Sequence, residues 1–190
     1  MKHVLICRLA VLCVGVGLCA GCASVTNVFV RTDPDFDAVP EASLREAART
    51  IEAAVVQGER TPPLENRERV VVDTPRIRQA VKTRATRNAL TADLLATEHA
   101  YEQRTGLIAI LRSRAYKDAT TRQERDRNAL VVMSENNDRW AIYEGLLEAN
   151  DWPAKALPAV QAIFFEERVE LLPAGTHYEG PGGDVVAKTP

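Results

Sequence analysis

The densest run of side chains able to do chemistry is Glu135-Asn136-Asn137-Asp138-Arg139. On a helix, Glu135 shares a face with Asp138 three residues on and with Arg139 four residues on. Carboxylates so placed could move a proton on a substrate or hold a hard cation. The competing use is structural: Arg139 pairs with Glu135 and the asparagines bond neighbouring turns. The structural use is the expectation, because nothing else in the chain completes a reactive set. After residue 22 there are two histidines, His99 and His177, far apart in sequence. No His-Glu-x-x-His, Gly-x-Ser-x-Gly or phosphate-cradling glycine loop occurs. Ser24, Ser43, Ser113 and Ser134 sit in no recognisable nucleophile elbow. The expectation is a non-enzymatic chain without metal or cofactor, in which Glu135 to Arg139 serve interaction or structure. A hydrolase using Glu135 or Asp138 is the alternative.

All four cysteines, Cys7, Cys13, Cys19 and Cys22, fall in the first 22 residues. Neither a disulfide framework nor a cysteine-rich zinc site can therefore serve the rest of the chain. Lys2 and Arg8 precede the apolar run Leu9 to Ala20, which is too short for a spanning helix of about 20 residues and suits the middle of a secretory signal. Leu18-Cys19-Ala20-Gly21-Cys22 follows and resembles a bacterial lipobox. Small side chains at Ala20 and Gly21 suit a peptidase at the membrane surface, and the Cys22 thiol would accept the diacylglyceryl group. A plain signal cleaved near Ala20, with Cys22 an ordinary thiol, is the alternative. Each buried methylene contributes ~0.8 kcal/mol, so two or more acyl chains anchor stably. By resemblance to the usual lipoprotein sorting rule, Ala23 after the cysteine suggests the periplasmic side of the outer membrane in a cell that has one. The expected organisation is a signal at 1–21, a lipidated tether at 22–40, a domain at 41–178 and a flexible tail at 179–190.

The elements that must hold the candidate residues follow from spacing. The chain has 190 residues, 46% of them apolar, which is enough for one modest domain. Val25 to Val30 is strand-prone, and Arg31 to Asp37 is polar with Pro34. A helix is predicted from Glu41 to about Gln57. Leu44, Ala47, Ala48, Ile51, Ala54 and Val55 lie on one face and Arg45, Arg49 and Glu52 nearer the other, with Gly58 as the stop. Val70 to Val72 suggests a short strand. Thr74-Pro75 starts a helix carrying Ile77, Ala80, Val81 and Arg84, with a break near Asn88 and a second short helix from Ala89. Leu107 to Leu111 reads as a buried strand. Thr121-Arg122-Gln123-Glu124 has the form of a capping box, opening a long helix to Ala149. Its apolar stripe of Leu130, Met133, Trp140, Tyr143, Leu146 and Leu147 is interrupted by Ser134 to Arg139. A last helix, regular from Pro158, ends near Leu172, with Glu166, Glu167 and Glu170 expected in solvent. The fold class is mainly α (α+β in detail): a small helical domain with a long helix, a C-terminal helix and one or two short strands.

Net charge is −2 and aromatic residues make up 5%, which argues against a nucleic-acid binder. Charge is uneven: residues 58–127 hold 15 basic and 10 acidic side chains, and residues 128–190 hold 4 and 10. Two groups stand out: Arg67, Arg69, Arg76, Arg78, Lys82, Arg84 and Arg87, then Arg112, Arg114, Lys117, Arg122, Arg125 and Arg127. Solvated helix faces paired within the chain are expected. A patch facing anionic head groups is the sharper alternative.

Glu135-Asn136-Asn137-Asp138-Arg139-Trp140-Ala141-Ile142-Tyr143 is similar to the Glu-Asn-x-Asp-Arg-x-x-x-Tyr segment of the YdbL-type family of small exported proteins and lipoproteins. Phe164, Glu167, Arg168 and Pro173-Ala174-Gly175-Thr176 resemble that family's closing helix and turn, and Pro75-x-Ile77-Arg78 and Gly106-Leu107-Ile108 fall at matching distances. Of the family's Gly-Glu-x-x-x-Gly turn only Gly106 is kept. The resemblance covers roughly residues 75–178. It implies an envelope location, a mainly helical domain, and an accessory role with an envelope protein partner in assembly or lipid transport. The membrane would be reached through lipidated Cys22.

Overall fold

The computed structural model describes residues 33–190. The signal, Cys22 and the strand-prone stretch at 25–30 lie outside the described residues. The elements run α1 (Glu41–Val56), α2 (Pro75–Ala96), β1 (Ala100–Glu102), β2 (Ile108–Ile110), α3 (Arg114–Ala119), α4 (Arg122–Ala149), α5 (Leu157–Leu171), β3 (His177–Glu179) and β4 (Val185–Ala187). The protein is mainly α with one small sheet.

The helix starts are chemical. The Thr74 hydroxyl accepts from the Ile77 N–H and Pro75 occupies the first turn, where its missing donor costs nothing. Thr121 and Glu124 form the reciprocal capping box of α4. After α1, Gly58 takes φ +70°, the left-handed conformation that glycine adopts without a Cβ penalty.

α1, α2, α4 and α5 enclose the main core. Leu44, Ile51, Ile77, Val81, Ile142, Leu146, Ile163 and Phe164 are fully buried there. Tyr143 meets the Phe164 ring edge-on, with centroids 5.4 Å apart. At Gly145 a Cβ would stand 3.1 Å from the Ile77 side chain, so α2 approaches α4 at a residue without one. The sheet order is β2-β1-β3-β4. β1 pairs antiparallel with β2 and parallel with β3, and β3 pairs antiparallel with β4. Leu94, Ala100 and Ile108 form a second small core, against which Val131 and Val132 of α4 pack.

Several expectations are corrected. α2 runs unbroken through Asn88, whose side chain donates to the Val56 carbonyl at 2.9 Å rather than competing for its own helix backbone. Val70 to Val72 form no strand. The Val71 N–H and C=O are both held by the Asn150 amide, at 2.7 and 3.0 Å, while Val70 and Val72 plug the core. The end of the expected tether packs instead: Phe36–Ala38 form a 3-10 turn and Val39 is buried. The expected flexible tail contributes β4, which pairs antiparallel with β3. Leu130 and Met133 of the expected stripe are exposed, and Val131 and Val132 between them pack against the second core instead. Glu52, expected nearer the polar face of α1, and Glu167, expected in solvent, are each 1% exposed.

Candidate functional site

The burial of Glu52 exposes the central feature of the protein. α1 contributes Glu52, α2 Arg84, β1 Glu102, α4 Glu135 and Arg139, and α5 Arg168, all buried. Arg84 grips Glu52 with both terminal nitrogens, each at 2.9 Å, and donates through Nε to Glu135 at 2.8 Å. Arg139 donates through Nε to Glu135 at 2.9 Å and grips Glu102 at 2.6 and 2.8 Å. Arg168 closes the circuit, reaching Glu102 at 3.2 Å and Glu52 at 2.8 Å. The result is a ring of alternating sign: Glu52, Arg84, Glu135, Arg139, Glu102, Arg168 and back to Glu52. Three carboxylates balance three guanidiniums, and each charge is held by bonds to two opposite ones. That is the condition under which buried charges are tolerable.

Gly106, in the turn between β1 and β2, completes the ring. Its carbonyl accepts from the Tyr143 hydroxyl at 2.6 Å and from Arg168 at 2.8 Å. Its φ is +74°, and a Cβ there would lie 2.7 Å from the Tyr143 oxygen, so only glycine fits.

The electrostatics follow from this geometry. Burial alone would push the Glu135 carboxyl up, but the Arg84 and Arg139 guanidiniums outweigh it and hold the group well below the usual carboxylate range. Glu52 is held low likewise, with Arg84 and Arg168 overcoming its burial. Burial would favour the neutral forms of Arg84 and Arg139, yet the carboxylates beside them raise both. Burial pushes the Tyr143 phenol up, against the pull of Arg168 and Arg139, so it stays protonated and donates.

The five residues singled out in the sequence separate in the structure. Glu135 and Arg139 are ring members. Asp138 lies at the rim and accepts from Arg87 at 2.7 Å; Arg87 also reaches Glu135 at 3.0 Å. Asn136 faces β2, accepting from the Ile108 N–H and donating to the Ile108 C=O, both at 2.9 Å. It satisfies an edge-strand residue as a further strand would. Asn137 is exposed and makes no side-chain hydrogen bond among the described residues. Sequence reasoning missed Glu52, Glu102, Arg168 and the part played by Arg84.

Beside the ring lies a cavity of about 430 Å³ between the C-terminal parts of α1, α2 and α5. The ring lines it, together with Val55, Leu95 and Leu172. In the first basic group Arg67 pairs with Glu46, Arg76 with Glu144 and Glu148, and Arg78 with Asp73, whereas in the second group Arg114 pairs with Asp118 and its neighbours show no ion pair among the described residues. Glu167 is held by Arg45 and Arg49, whereas Glu166 and Glu170 are exposed as expected. Among the described residues no group of His, Cys, Asp and Glu is arranged to hold a metal ion, and no helix is long and apolar enough to cross a membrane.

Comparison of the chain with protein families, with curated proteins and with solved structures found no match.

Proposed function

We propose that this chain is a lipid-anchored cell-envelope protein, held through Cys22 on the periplasmic side of an outer membrane, whose folded domain is a non-catalytic binding and accessory module. The observation that carries the non-catalytic part is the closed ring. A general acid or base needs an available lone pair or proton and an affinity for protons near the working pH. Glu135 has both oxygens engaged by guanidiniums and is held far toward its ionised form. Asp138 is tied to Arg87. The geometry therefore favours cohesion over hydrolysis for this segment. The anchor rests on the lipobox-like residues before Cys22, and the similarity to YdbL-type proteins supports an envelope role beside a protein partner.

Two experiments test the reading. Cells fed labelled palmitate should label the wild-type chain and leave Cys22→Ser unlabelled; equal labelling of both would remove the anchor. Crosslinking in native envelopes should return a reproducible protein partner. A turnover lost in both Glu135→Gln and Asp138→Asn, with unchanged thermal stability, would replace the accessory role with an enzymatic one.

A second reading, contact with anionic head groups, is favoured by one region. Arg112 just before α3, Lys117 in α3 and Arg122 at the start of α4 are exposed and reach no carboxylate among the described residues. Exposed Leu130 follows on the same helix. Liposome binding by this region would strengthen with anionic lipid and weaken with salt. Indifference to both would remove it.

A further inference from the structure

The cavity beside the ring has a chemistry of its own. Its volume of about 430 Å³ falls in the ~300–1,000 Å³ range of small-molecule sites. The apolar wall is built from Val55, Val56, Leu95, Leu171, Leu172 and Pro173, and no aromatic ring lines it. Val56 and Leu171 are 51% and 38% exposed, so apolar surface meets water at the mouth of the cavity. The polar lining is Asn88, Thr91, Thr176, the exposed carboxylate of Glu98 and the ring, whose three carboxylates and three guanidiniums cancel. A ligand bearing a charge would upset that balance in a buried setting. The ring still has hydrogen-bonding capacity: Arg84 spends three of its five N–H donors on Glu52 and Glu135. Thr91, also in the lining and only 6% exposed, has a hydroxyl with no hydrogen-bond partner. Aliphatic walls call for a hydrocarbon chain. Unspent donors beside a lining with one carboxylate more than it has guanidiniums call for an uncharged acceptor at its end, not an anionic one.

We infer that this cavity binds one ester-linked acyl chain of a glyceryl lipid from the leaflet. The inference rests on reading the domain as a binding module held beside a membrane. The bound chain covers the exposed faces of Val56 and Leu171, and its ester carbonyl accepts from the Thr91 hydroxyl or a free Arg84 N–H.

The test uses the full chain carrying Cys22→Ser, which cannot bear its own acyl groups, and 1-monopalmitoylglycerol with a photoreactive group near the end of its chain. Crosslinks are expected in peptides containing Val55, Leu95 and Leu171. Unlabelled monopalmitoylglycerol should compete about tenfold better than palmitate, whose carboxylate upsets the balance of the ring. Ala92→Trp, at an exposed lining residue, should cut labelling about tenfold with an unchanged thermal midpoint. If that variant unfolds, Ala96→Trp at the neighbouring exposed position serves instead. Thr91→Val should weaken binding roughly 2- to 10-fold without loss of stability, since the hydroxyl it removes has no partner in the protein. Labelling spread over α3 and β4, equal competition by palmitate, or full labelling of the tryptophan variant would overturn the site. So would loss of labelling confined to the lipidated wild type, which would give the cavity to the chain's own acyl group. Failure here leaves the non-catalytic reading to be judged by partner capture.

Discussion

Glu135→Gln removes one charge from the ring and keeps its shape. Glu135 accepts charge-assisted hydrogen bonds from Arg84 at 2.8 Å, Arg139 at 2.9 Å and Arg87 at 3.0 Å, with its side chain 3% exposed. The substitution leaves two carboxylates against three guanidiniums in the buried ring. Breaking a buried ion pair costs about 3–5 kcal/mol, chiefly because the abandoned partner stays desolvated. The glutamine carbonyl still accepts one bond, which places the expected loss near the lower end, about 3 kcal/mol. For a domain of this size each kcal/mol moves the thermal midpoint by about 2–4 °C, so the drop should be roughly 6–12 °C. Asp138→Asn is the internal control. It sits three residues away, pairs with the same Arg87, and is 22% exposed, so its loss should stay within about 1 kcal/mol. Calorimetry or circular dichroism melts of both variants, with urea titration for the free energies, supply the numbers. Adding Arg139→Met to Glu135→Gln should cost less than the sum of the single changes by about 1–3 kcal/mol, because the two residues share one network. Equal losses at Glu135 and Asp138, or strict additivity, would refute a closed, interdependent ring.

Stability should fall on acidification. The carboxyls of Glu135 and Glu52 are depressed in the folded protein below their ordinary value of 4.5, so their contribution is complete above that value and is lost as pH falls below it toward the folded-state values. Melts should be level from about pH 7 to 5 and decline below about 4.5, and Glu135→Gln should flatten that decline. Gly106→Ala should cost more than the ~1–2 kcal/mol of left-handed strain, since its Cβ also meets the Tyr143 oxygen; denaturant titration measures this. Asn136→Ala should cost about 2 kcal/mol or more by leaving the Ile108 N–H and C=O unpaired. Asn137→Ala, one residue on and exposed, should stay within about 0.5 kcal/mol in the same assay.

The parts of this fold that depend on local chemistry can be read from the sequence. Thr74-Pro75, the Thr121–Glu124 capping box and Gly58 set helix ends through bonds made within a few residues. The ring depends on partners 32 to 116 residues apart, apart from the Glu135–Arg139 pair. A periodicity argument sends charged residues outward by rule, so Glu52 was placed nearer the polar face although it follows Ala48 by one helical turn. Two signals were present. Arg84 continues the buried face of Ile77, Ala80 and Val81 on α2. On α4 the polar run from Ser134 to Arg139 interrupts the apolar stripe where the helix meets the ring, and an inward-facing polar turn among apolar ones indicates a buried network. β2 falls within the strand expected at Leu107 to Leu111, whereas β1, β3 and β4 escaped because three-residue strands owe their existence to neighbours. β1 and β3 pair in parallel across α3, α4 and α5, a link that no local pattern encodes.

The most direct test of the buried ring is hydrogen exchange at the arginine Nε–H groups, followed by NMR. Arg84, Arg139 and Arg168 each donate Nε–H to a buried carboxylate and should exchange only as the domain opens, far more slowly than the exposed Arg114. Exchange of all three at the rate of Arg114 would contradict a closed ring, and with it the claim that these charges serve cohesion.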